Sequence, residues 1–488
     1  MNARARTRPD RRVETAEIID LAHDGRGVAR VDGKTVFIDD ALPGERVEWL
    51  RLKRGRNFDE GRLERVLEPA ADRVEPRCAH FGVCGGCVLQ HLAPIRQLEF
   101  KQRQLHEALT RIGKVTPAET LPLLQGSVWN YRRRARLAAR WVPKKERTVL
   151  GFRERSTTYI ADVKRCEVLL PPVDSLVEPL SLLLTALSVR NRVPQIEVAV
   201  ADNAVALVVR VLEELTAADR ELLLKFAREH HVQIYIQPGG YETIAPLSEV
   251  TPLEYRLPQF DVTVRFQPND FVQVNGELNA QMVARAVELL APAPGEQLLD
   301  LFCGLGNFSL PLARSGAHVV GVEGDAGLVA RAVELLQPEP GERLLDLFCG
   351  LGNFSLPLAR SGAHVVGVEG DAGLVARARG NAALNGIDNI EFVCGDLAQP
   401  SAVDSVWARR PYDKVLLDPP RAGALEVLPI VARCGAKTVL YISCHPGSLA
   451  RDAGILVHEH GFTLAAAGVM DMFPHTAHVE SAALFTRK

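Results

Sequence analysis

Residues 344–353, LLDLFCGLGN, decide the fold class of this chain. A short apolar run with one acid leads into a glycine turn, and the residues after the turn have a helical pattern. The β-branched run at residues 364–368 then ends in Glu369. Further strand patterns alternate with helical segments as far as residue 417. This alternation predicts an α/β fold with a parallel, doubly wound sheet.

The same unit occurs twice in succession, as residues 284–329 and 330–375. The copies repeat with a period of 46 residues and differ at only three positions. Repeat arrays need about three or more units to bury a continuous face, and their units diverge. Two nearly identical copies instead indicate a recent tandem duplication, so one copy is surplus to the basic fold.

Composition places the chain among ordinary globular proteins. With 488 residues, 47% of them hydrophobic and 24% charged, it is neither disordered nor fibrous and has room for about three domains. No run approaches the ~18–20 apolar residues of a membrane span, and residues 1–12 lack the apolar segment of a secretory signal. Nine cysteines are too sparse for a disulfide framework. We therefore expect a cytoplasmic protein that is not attached to a membrane.

The first half of the chain differs in pattern from the second. Between residues 17 and 67, short strands broken by glycines predict a small β-barrel. A mixed α/β central domain is predicted next, because cysteines and basic clusters occur among alternating strands. The expected domains are the barrel at 1–70, the central domain at 71–262 and the α/β-sheet domain, with the duplication, at 263–488.

Three clusters of positive charge stand out, although the formal net charge is only −2. Such a cluster can bind nucleic-acid phosphates, but a solvated surface or tail explains any single cluster equally well. The clusters lie at residues 4–12, 51–56 and 132–136.

A nucleoside cofactor is predicted beside the glycine turn of the repeat unit. In an open α/β sheet, ligands bind beyond the carboxyl ends of the strands, where glycines allow close approach to the backbone. Glu369 lies 23 residues after Asp346, near the ~20 expected for an acid that binds ribose hydroxyls. The turn has no third glycine, which together with the Asp-Pro-Pro at residues 418–420 favours S-adenosylmethionine over NAD. The glycine loop alone is also compatible with a purely structural turn.

Cys444 follows an apolar strand and enters a turn, in the sequence YISCHP at residues 441–446. A lone cysteine is more often a buried structural thiol. Here, however, it follows a strand of the predicted parallel sheet, and a second turn motif at residues 418–421 ends another strand. A thiolate at such a position would be a strong nucleophile.

Cys78, Cys84 and Cys87 lie within ten residues of one another, with Cys166 farther along. Three glycines between them let the backbone wrap tightly, which suits a metal-binding loop. Zinc and an iron–sulfur cluster are both compatible with this spacing.

His475, His478 and Glu480 form the last candidate group. Two imidazoles and a carboxylate suit acid/base chemistry or a metal. A polar strand edge would have the same composition, and on composition alone it is at least as good an interpretation.

Together and in order, these motifs resemble the bacterial 23S ribosomal RNA (uracil-C5)-methyltransferases that carry an iron–sulfur cluster and a TRAM barrel. The resemblance covers nearly the whole chain, and the combination is highly specific although each motif alone is only moderately so. The motifs are CAHFGVCGGC (78–87), WNYRRR (129–134), FVQVN (271–275), the duplicated LDLFCGLGNF, DPPR (418–421), SC (443–444) and HVE (478–480).

The resemblance implies an enzyme with an S-adenosylmethionine-dependent class I methyltransferase sheet, a [4Fe–4S] cluster and 23S ribosomal RNA as its partner. It also implies a monomer without an obligate protein partner. Cys444 matches the nucleophile that adds to uracil C6, and Glu480 matches the base that removes the C5 proton. The cluster ligands match Cys78, Cys84, Cys87 and Cys166, and the cofactor contacts match Gln273, Phe348, Asn353, Glu369, Asp396 and Asp418.

Two other functions fit parts of the pattern. A transfer-RNA uracil-C5 methyltransferase shares the catalytic domain but does not require the cysteine cluster. A non-catalytic RNA-binding iron–sulfur protein would result if the duplication disrupted the cofactor site.

The chain departs from the family pattern in two ways. His445 replaces the usual asparagine after the nucleophile, where it could influence the thiol, contact RNA or cap a turn. Only one copy of the repeat can complete the site with Asp396 and Asp418, and we favour the second because it runs directly into the strand before Asp396. The first copy instead lies next to Gln273 in sequence. It offers Phe302, Asn307 and Glu323.

Overall fold

The structure is a computed structural model, and the residues that it describes leave gaps in the second half of the chain. Five residues named above, Phe302, Glu323, Phe348, Asn353 and Asp396, lie outside the described residues. Within the described part, no helix combines the length and the apolar character that crossing a bilayer requires. The described residues are 13–155, 157–293, 297–301, 307–315, 317–322, 343–347, 364–369, 390–394, 414–419 and 421–487.

The first five strands close into a barrel, as the alternating pattern predicts. They are β1 (Val13–Leu21), β2 (Gly27–Val31), β3 (Lys34–Asp39), β4 (Arg46–Arg54) and β5 (Phe58–Glu68). Their order around the barrel is β1-β2-β3-β5-β4. Inward-facing side chains such as Ile18, Ile38 and Trp49 are buried in its core. Gly61 lies directly against the Trp49 ring, where any Cβ would overlap the indole.

Helix α1 (Pro94–Ala108) follows the cysteine motif and packs onto the C-terminal half of the chain. Proline at its first turn suits a helix start because that backbone nitrogen needs no partner there. Its buried positions Gln97, Lys101 and Leu105 recur every four residues and so share one face. The short strand β6 (Glu119–Thr120) comes next.

The middle of the chain forms a six-stranded sheet with order β12-β11-β10-β9-β7-β8. Helix α3 begins with a capping box, in which Thr216 and Asp219 each accept a hydrogen bond from the other's backbone N–H. The strands are β7 (Arg134–Val142), β8 (Arg147–Gly151), β9 (Gln195–Val200), β10 (Val205–Arg210), β11 (Gln233–Gln237) and β12 (Ala245–Pro246), with helices α2 (Val173–Ala186) and α3 (Ala217–His230).

A β-hairpin and a helix lead into the C-terminal sheet. The hairpin consists of β13 (Leu253–Leu257) and β14 (Val262–Phe266). Helix α4 (Gly276–Leu290) is capped by Asn275, whose side chain accepts the Leu278 N–H at 3.1 Å.

A seven-stranded sheet with order β16-β15-β20-β21-β23-β22-β6 forms the C-terminal part of the described chain. The strands β16, β15, β20 and β21 are parallel to one another, whereas β23 runs antiparallel to both β21 and β22. The elements are β15 (Gln297–Leu301), α5 (Ser309–Ala313), β16 (His318–Val322), β20 (Lys414–Leu417), α6 (Leu428–Arg433), β21 (Thr438–Ser443), α7 (Pro446–His458), β22 (Thr463–Met470) and β23 (Glu480–Thr486).

The second copy of the repeat lies in a separate parallel sheet of three strands. Its strands are β17 (Arg343–Leu347), β18 (His364–Glu369) and β19 (Ile390–Cys394), in that order. The seven-stranded sheet therefore takes its repeat strands, β15 and β16, from the first copy.

The predicted fold class is confirmed: a small closed barrel, a mixed α/β region and a largely parallel α/β sheet follow one another along the chain. The domain ranges 1–70, 71–262 and 263–488 stay predictions. One detail crosses them, because β6 lies within the second range but pairs with β22 in the C-terminal sheet.

Deletion of residues 330–375 is expected to leave the melting temperature unchanged or to raise it. The seven-stranded sheet keeps both of its repeat strands, and halving a long connection lowers the entropic cost of closing it by about 0.6 kcal/mol. Thermal unfolding followed by circular dichroism measures this. Deletion of residues 284–329 yields a chain that differs at only three positions, so the two deletions must behave alike. A clearly lower melting temperature would mean that the second copy belongs to the stable core.

Candidate active site

The ends of three neighbouring strands bring three predicted site residues to one edge of the seven-stranded sheet. The ladder between β21 and β23 ends with Ser443 opposite Ser481. The next residue on one strand is Cys444, and on the other it is Glu480. On the other side of β21 lies the parallel strand β20, which ends one residue before Asp418. The thiol and the two carboxyl groups therefore belong to a single site.

The turn that carries Cys444 is stabilised by the beginning of α7. Nδ1 of His445 accepts a hydrogen bond from the Ser448 backbone N–H at 3.1 Å and so caps the helix. Asparagine is among the best residues for this role, which is consistent with the exchange of one residue for the other at this position. Of the roles considered for His445, capping the turn is the one that this contact supports.

The electrostatic environment of Cys444 favours the neutral thiol. Burial raises the pKa of the Cys444 thiol, and the carboxyl groups of Glu480 and Asp418 raise it further. Arg421 acts in the opposite direction. Protonation of a neighbouring carboxylate would therefore make the thiolate easier to form.

Glu480 has the protonation behaviour of a base that works near neutral pH. Burial, and secondly the negative charge of Asp418, raise the pKa of the Glu480 carboxyl to about 8. Arg421 and Lys101 lower this pKa. General-base catalysis is most effective when the pKa lies near the operating pH, so this environment suits proton abstraction.

An open cavity of about 770 Å³ adjoins Cys444. Three arginines, Arg111, Arg132 and Arg421, line it together with the carboxylates of Asp24 and Glu107, and Glu107 pairs with Arg111 at 3.5 Å. Arg132 and Arg421 are the lining cations suited to contact the phosphates of a nucleic acid. Glu480 is not among the lining residues, although its neighbour Val479 is. The exposed His478 ring, also in the lining, lies with Nδ1 3.2 Å from Arg421.

Lys101 is a site neighbour that the sequence did not reveal. Its side chain is fully buried, with Nζ 2.6 Å from Asp471 Oδ1 and 2.9 Å from the Phe473 carbonyl oxygen. The buried ion pair thus lies at the end of β22, where Met470 is opposite Glu480. A lysine in a helix normally projects into solvent, so no local pattern distinguished this one.

Gln273 and the first copy of the repeat are linked through α4. Gln273 is half-buried and lies just before this helix. Asn279 of α4 exchanges two hydrogen bonds of 2.8 Å with the amide of Asn307, whose Oδ1 also accepts the Tyr255 hydroxyl at 3.1 Å. One predicted cofactor residue of the first copy is therefore anchored beside the FVQVN segment.

The two copies adjoin different aspartates. β15 of the first copy pairs with β20, the strand before Asp418. β18 of the second copy, which ends with Glu369, pairs with β19, the strand before Asp396. The expectation that one copy completes the site with both aspartates stays a prediction, and the strands before them, β19 and β20, lie in different sheets. Phe348 and Asn353, the other favoured residues of the second copy, lie outside the described residues.

All four predicted metal ligands, Cys78, Cys84, Cys87 and Cys166, line one small cavity. Burial raises the pKa of the Cys87 thiol to about 12 and that of Cys166 to about 11. Neutral thiols are poor ligands, so metal binding at this site would have to displace protons. Within the described residues, no group of three or more such side chains already has a metal-binding arrangement.

The surroundings of these cysteines fit an iron–sulfur cluster in their chemistry. The Gly86 backbone N–H donates a hydrogen bond to Cys84 Sγ at 3.4 Å. The backbone N–H groups of Val168 and Leu169 lower the pKa of Cys166, so they too favour a thiolate. Four thiols, of which Cys84 and Cys166 have backbone N–H donors, resemble the environment in which such clusters are held and tuned.

Several members of the two basic clusters in the described residues form ion pairs within the protein. In the second cluster, Arg51 pairs with Glu14 at 2.8 Å and Lys53 with Glu60 at 2.9 Å. In the third, Arg133 pairs with Asp202 at 3.0 Å, whereas Arg132 reaches the active-site cavity. The cluster at residues 4–12 lies outside the described residues.

Models of two protein families match this chain. The model described as tRNA (Uracil-5-)-methyltransferase matches residues 254–334 and 325–488, and the two matches overlap within the duplicated segment. The TRAM domain model matches residues 10–48, which lie in the barrel.

Relatives of full length are found among bacterial enzymes. The 23S rRNA (uracil(1939)-C(5))-methyltransferase RlmD of Xanthomonas axonopodis pv. citri is 47% identical over 490 residues, which cover both chains completely. The protein of the same name from Stenotrophomonas maltophilia (strain K279a) is 46% identical, again over both whole chains.

A solved structure shows the same fold. The Pyrococcus abyssi tRNA (uracil-54, C5)-methyltransferase in complex with S-adenosyl-L-homocysteine superimposes with a TM-score of 0.60 at 21% identity, covering 97% of this chain and all of the other. Because the identity to the bacterial relatives extends over the whole length, the chain belongs to the RlmD family of 23S rRNA (uracil-C5)-methyltransferases.

Proposed function

We propose that this protein transfers a methyl group from S-adenosylmethionine to C5 of a uridine in 23S ribosomal RNA, through a covalent adduct with Cys444. The observation that carries the proposal is the meeting of Cys444, Glu480 and Asp418 at one sheet edge, beside an open cavity that Arg132 and Arg421 line. Membership of the RlmD family supports the same reaction and substrate. A substrate in the ribosome would place the reaction in the cytoplasm.

The site residues can carry out the reaction in balanced steps. Uracil C5 is a poor nucleophile, so the Cys444 thiolate first adds to C6 and forms an enolate with charge on O4 and C5. C5 then attacks the sulfonium methyl group, and S-adenosylhomocysteine leaves as a neutral thioether. Glu480 removes the C5 proton, after which the C6–S bond breaks and releases the thiolate. The target base must be unstacked, because C6 is inaccessible within a helix.

The positive charge of Arg421 affects both the proposed nucleophile and the proposed base. It lowers the pKa of both Cys444 and Glu480 and therefore favours the anionic form of each. Its exposed position in the cavity also leaves it accessible to RNA phosphate. We assign it a positioning role rather than a chemical one.

The methyl donor is proposed to bind at the carboxyl ends of β15 and β20. Gln273 and Asp418 are common to every version of this site. The pairing of β15 with β20 supports the first copy as its remaining part, with Phe302, Asn307 and Glu323. The corresponding set in the second copy, with Phe348, Asn353, Glu369 and the adjoining Asp396, is the alternative.

Cys78, Cys84, Cys87 and Cys166 are proposed to hold a [4Fe–4S] cluster. Such a cluster supplies a one-electron redox centre when bound. The methylation scheme transfers no unpaired electron, so the role proposed for these cysteines is to order the polypeptide and the RNA. The cavity that Cys444 lines is also lined by Gly85 and Gly86 of the cysteine motif, which supports a role for this motif near the RNA.

Cys444→Ala is expected to lower methyl transfer to 23S RNA more than about 1000-fold, because the nucleophile is lost. Glu480→Gln should instead accumulate a methylated protein–RNA adduct, since elimination needs the C5 proton to be removed. Labelled methyl transfer and denaturing gels measure the two effects.

Cys434→Ala is the control, because that buried thiol donates only to the Val431 carbonyl at 3.3 Å. Full activity of Cys444→Ala, or equal methylation of transfer RNA by wild type, would refute the proposal.

Methyl transfer is expected to rise with pH through about 8, where burial places the pKa of the base Glu480, and to continue rising above it. The raised pKa of the Cys444 thiol acts in the same direction. Arg421→Met removes a cation that lowers both pKa values, so the rising limb should move to higher pH. Single-turnover rates between about pH 6 and about pH 9 test this, with Arg433→Met as the control. An unchanged profile in Arg421→Met would contradict the assigned role.

Glu323→Ala is expected to weaken S-adenosylmethionine binding at least about tenfold, through loss of the hydrogen bonds to the ribose. Glu369→Ala, the same substitution at the equivalent position of the other copy, should change the affinity little. Isothermal titration calorimetry compares the two variants directly. A larger loss with Glu369→Ala would assign the cofactor to the second copy.

Protein purified without oxygen is expected to contain about four irons and four sulfides per chain. Cys166→Ser should lose most of both, while Cys434→Ser should retain them, because Cys434 does not line the cysteine cavity. Metal and acid-labile sulfide analysis gives the answer. Stoichiometric zinc without sulfide would show that the site is a zinc site.

A further inference from the structure

One buried side chain joins the segment after the cysteine motif to the loop before Glu480. Gln97 of α1 is 1% exposed. Its Oε1 accepts the backbone N–H of His475 at 2.8 Å. Its Nε2 donates to the carbonyl oxygens of Leu89 and Leu92 at 2.9 and 2.8 Å. Nε2 also lies 3.2 Å from Nδ1 of His475. Both ends of the amide are therefore used, and together they contact both segments.

The backbone makes the same connection a second time. The carbonyl oxygen of His475 accepts hydrogen bonds from the N–H groups of Val88 and Leu89 at 2.9 and 3.0 Å. Val88 directly follows Cys87. His475 has a φ of 65°, in the left-handed region that a residue other than glycine adopts only where its surroundings hold it. The cysteine segment supplies a large part of those surroundings.

Aromatic stacking adds a third link. The His475 ring stacks on Trp129 with the ring centroids 3.9 Å apart. The guanidinium carbon of Arg77 lies 5.3 Å from the Trp129 ring centroid, and Arg77 directly precedes Cys78. Residues next to both ends of the cysteine motif thus contact the surroundings of His475.

The loop between His475 and Glu480 is short and internally bonded. The Thr476 hydroxyl donates to the Phe473 carbonyl at 2.9 Å and accepts the His478 N–H at 3.2 Å. Val479 is buried, and Glu480 begins β23. Because this loop is short and bonded internally, a displacement of His475 would also displace Glu480.

We propose that the cysteine segment holds the catalytic base in place through Gln97 and His475, so that Gln97 is a positioning residue for Glu480. The inference rests on the proposed function for the role of Glu480 as the base. These contacts couple the conformational order of the cysteine segment to that of the 473–480 loop. Metal binding by the four cysteines would increase the order of both. Gln97 touches neither RNA nor cofactor in this scheme and acts only through His475.

The test compares Gln97→Met with Gln102→Met. Methionine keeps the length of the side chain and removes its hydrogen bonds. Gln102 lies on the same helix and accepts the Val469 N–H at 3.2 Å, which makes it a matched control for losing a hydrogen bond to the C-terminal sheet. In Gln97→Met we expect hydrogen exchange of residues 473–480 to be at least about tenfold faster, with iron retained. We also expect kcat to fall about ten- to a hundredfold while KM for S-adenosylmethionine is unchanged.

A second measurement uses the wild-type chain and so remains informative if Gln97→Met does not fold. Removal of iron by chelation should speed exchange in residues 473–480, while residues 34–39 of the barrel keep their protection. Unchanged exchange in 473–480, after either the substitution or chelation, overturns the proposal. If wild type fails to methylate RNA, the proposed function fails, whereas the exchange experiment still decides whether the two segments are coupled.

Discussion

The register between β21 and β23 is the constraint on which the site depends. The ladder ends at the Ser443–Ser481 pair, and this alone makes Cys444 and Glu480 neighbours. A slip of one residue would turn one of the two side chains to the other face of the sheet. Burial resists such a slip, because Tyr441 and residues such as Ala483 and Phe485 pack into the core at the present register.

Segments from the first half of the chain contribute to the site whose proposed nucleophile and base, Cys444 and Glu480, lie near the C-terminal end of the chain. Lys101 of α1 brings a buried positive charge to the end of β22 and lowers the pKa of Glu480. The two-residue strand β6 pairs with β22, and Arg132 reaches the cavity beside Cys444. The C-terminal sheet therefore does not form the site by itself. Elements that follow the cysteine motif in sequence contribute charged side chains and one edge strand to it.

Burial raises the thiol pKa at both thiol sites, but the nearby charges differ. At Cys444 the penalty for forming the thiolate is moderated by Arg421, whose charge favours the anion. At Cys87 and Cys166 no comparable cation is among the main influences, and burial leaves both thiols neutral over the physiological range. Metal binding is the ordinary way to hold such thiols as thiolates. This difference is consistent with the two proposed roles, a nucleophile at Cys444 and metal ligands at Cys87 and Cys166.

The sequence alone determined the fold class, and it identified Cys444, Glu480 and the four cysteines as candidate site residues, because they lie at strand ends, at short spacings and in motifs that resemble a known family. The roles of Gln97 and Lys101 could not be predicted from the sequence, because a polar residue in a helix has the same local pattern whether it faces solvent or a buried loop. The choice between the copies could not be made either. Their sequences are nearly identical, so local information is the same for both, and only the pairing of β15 with the strand before Asp418 distinguishes them.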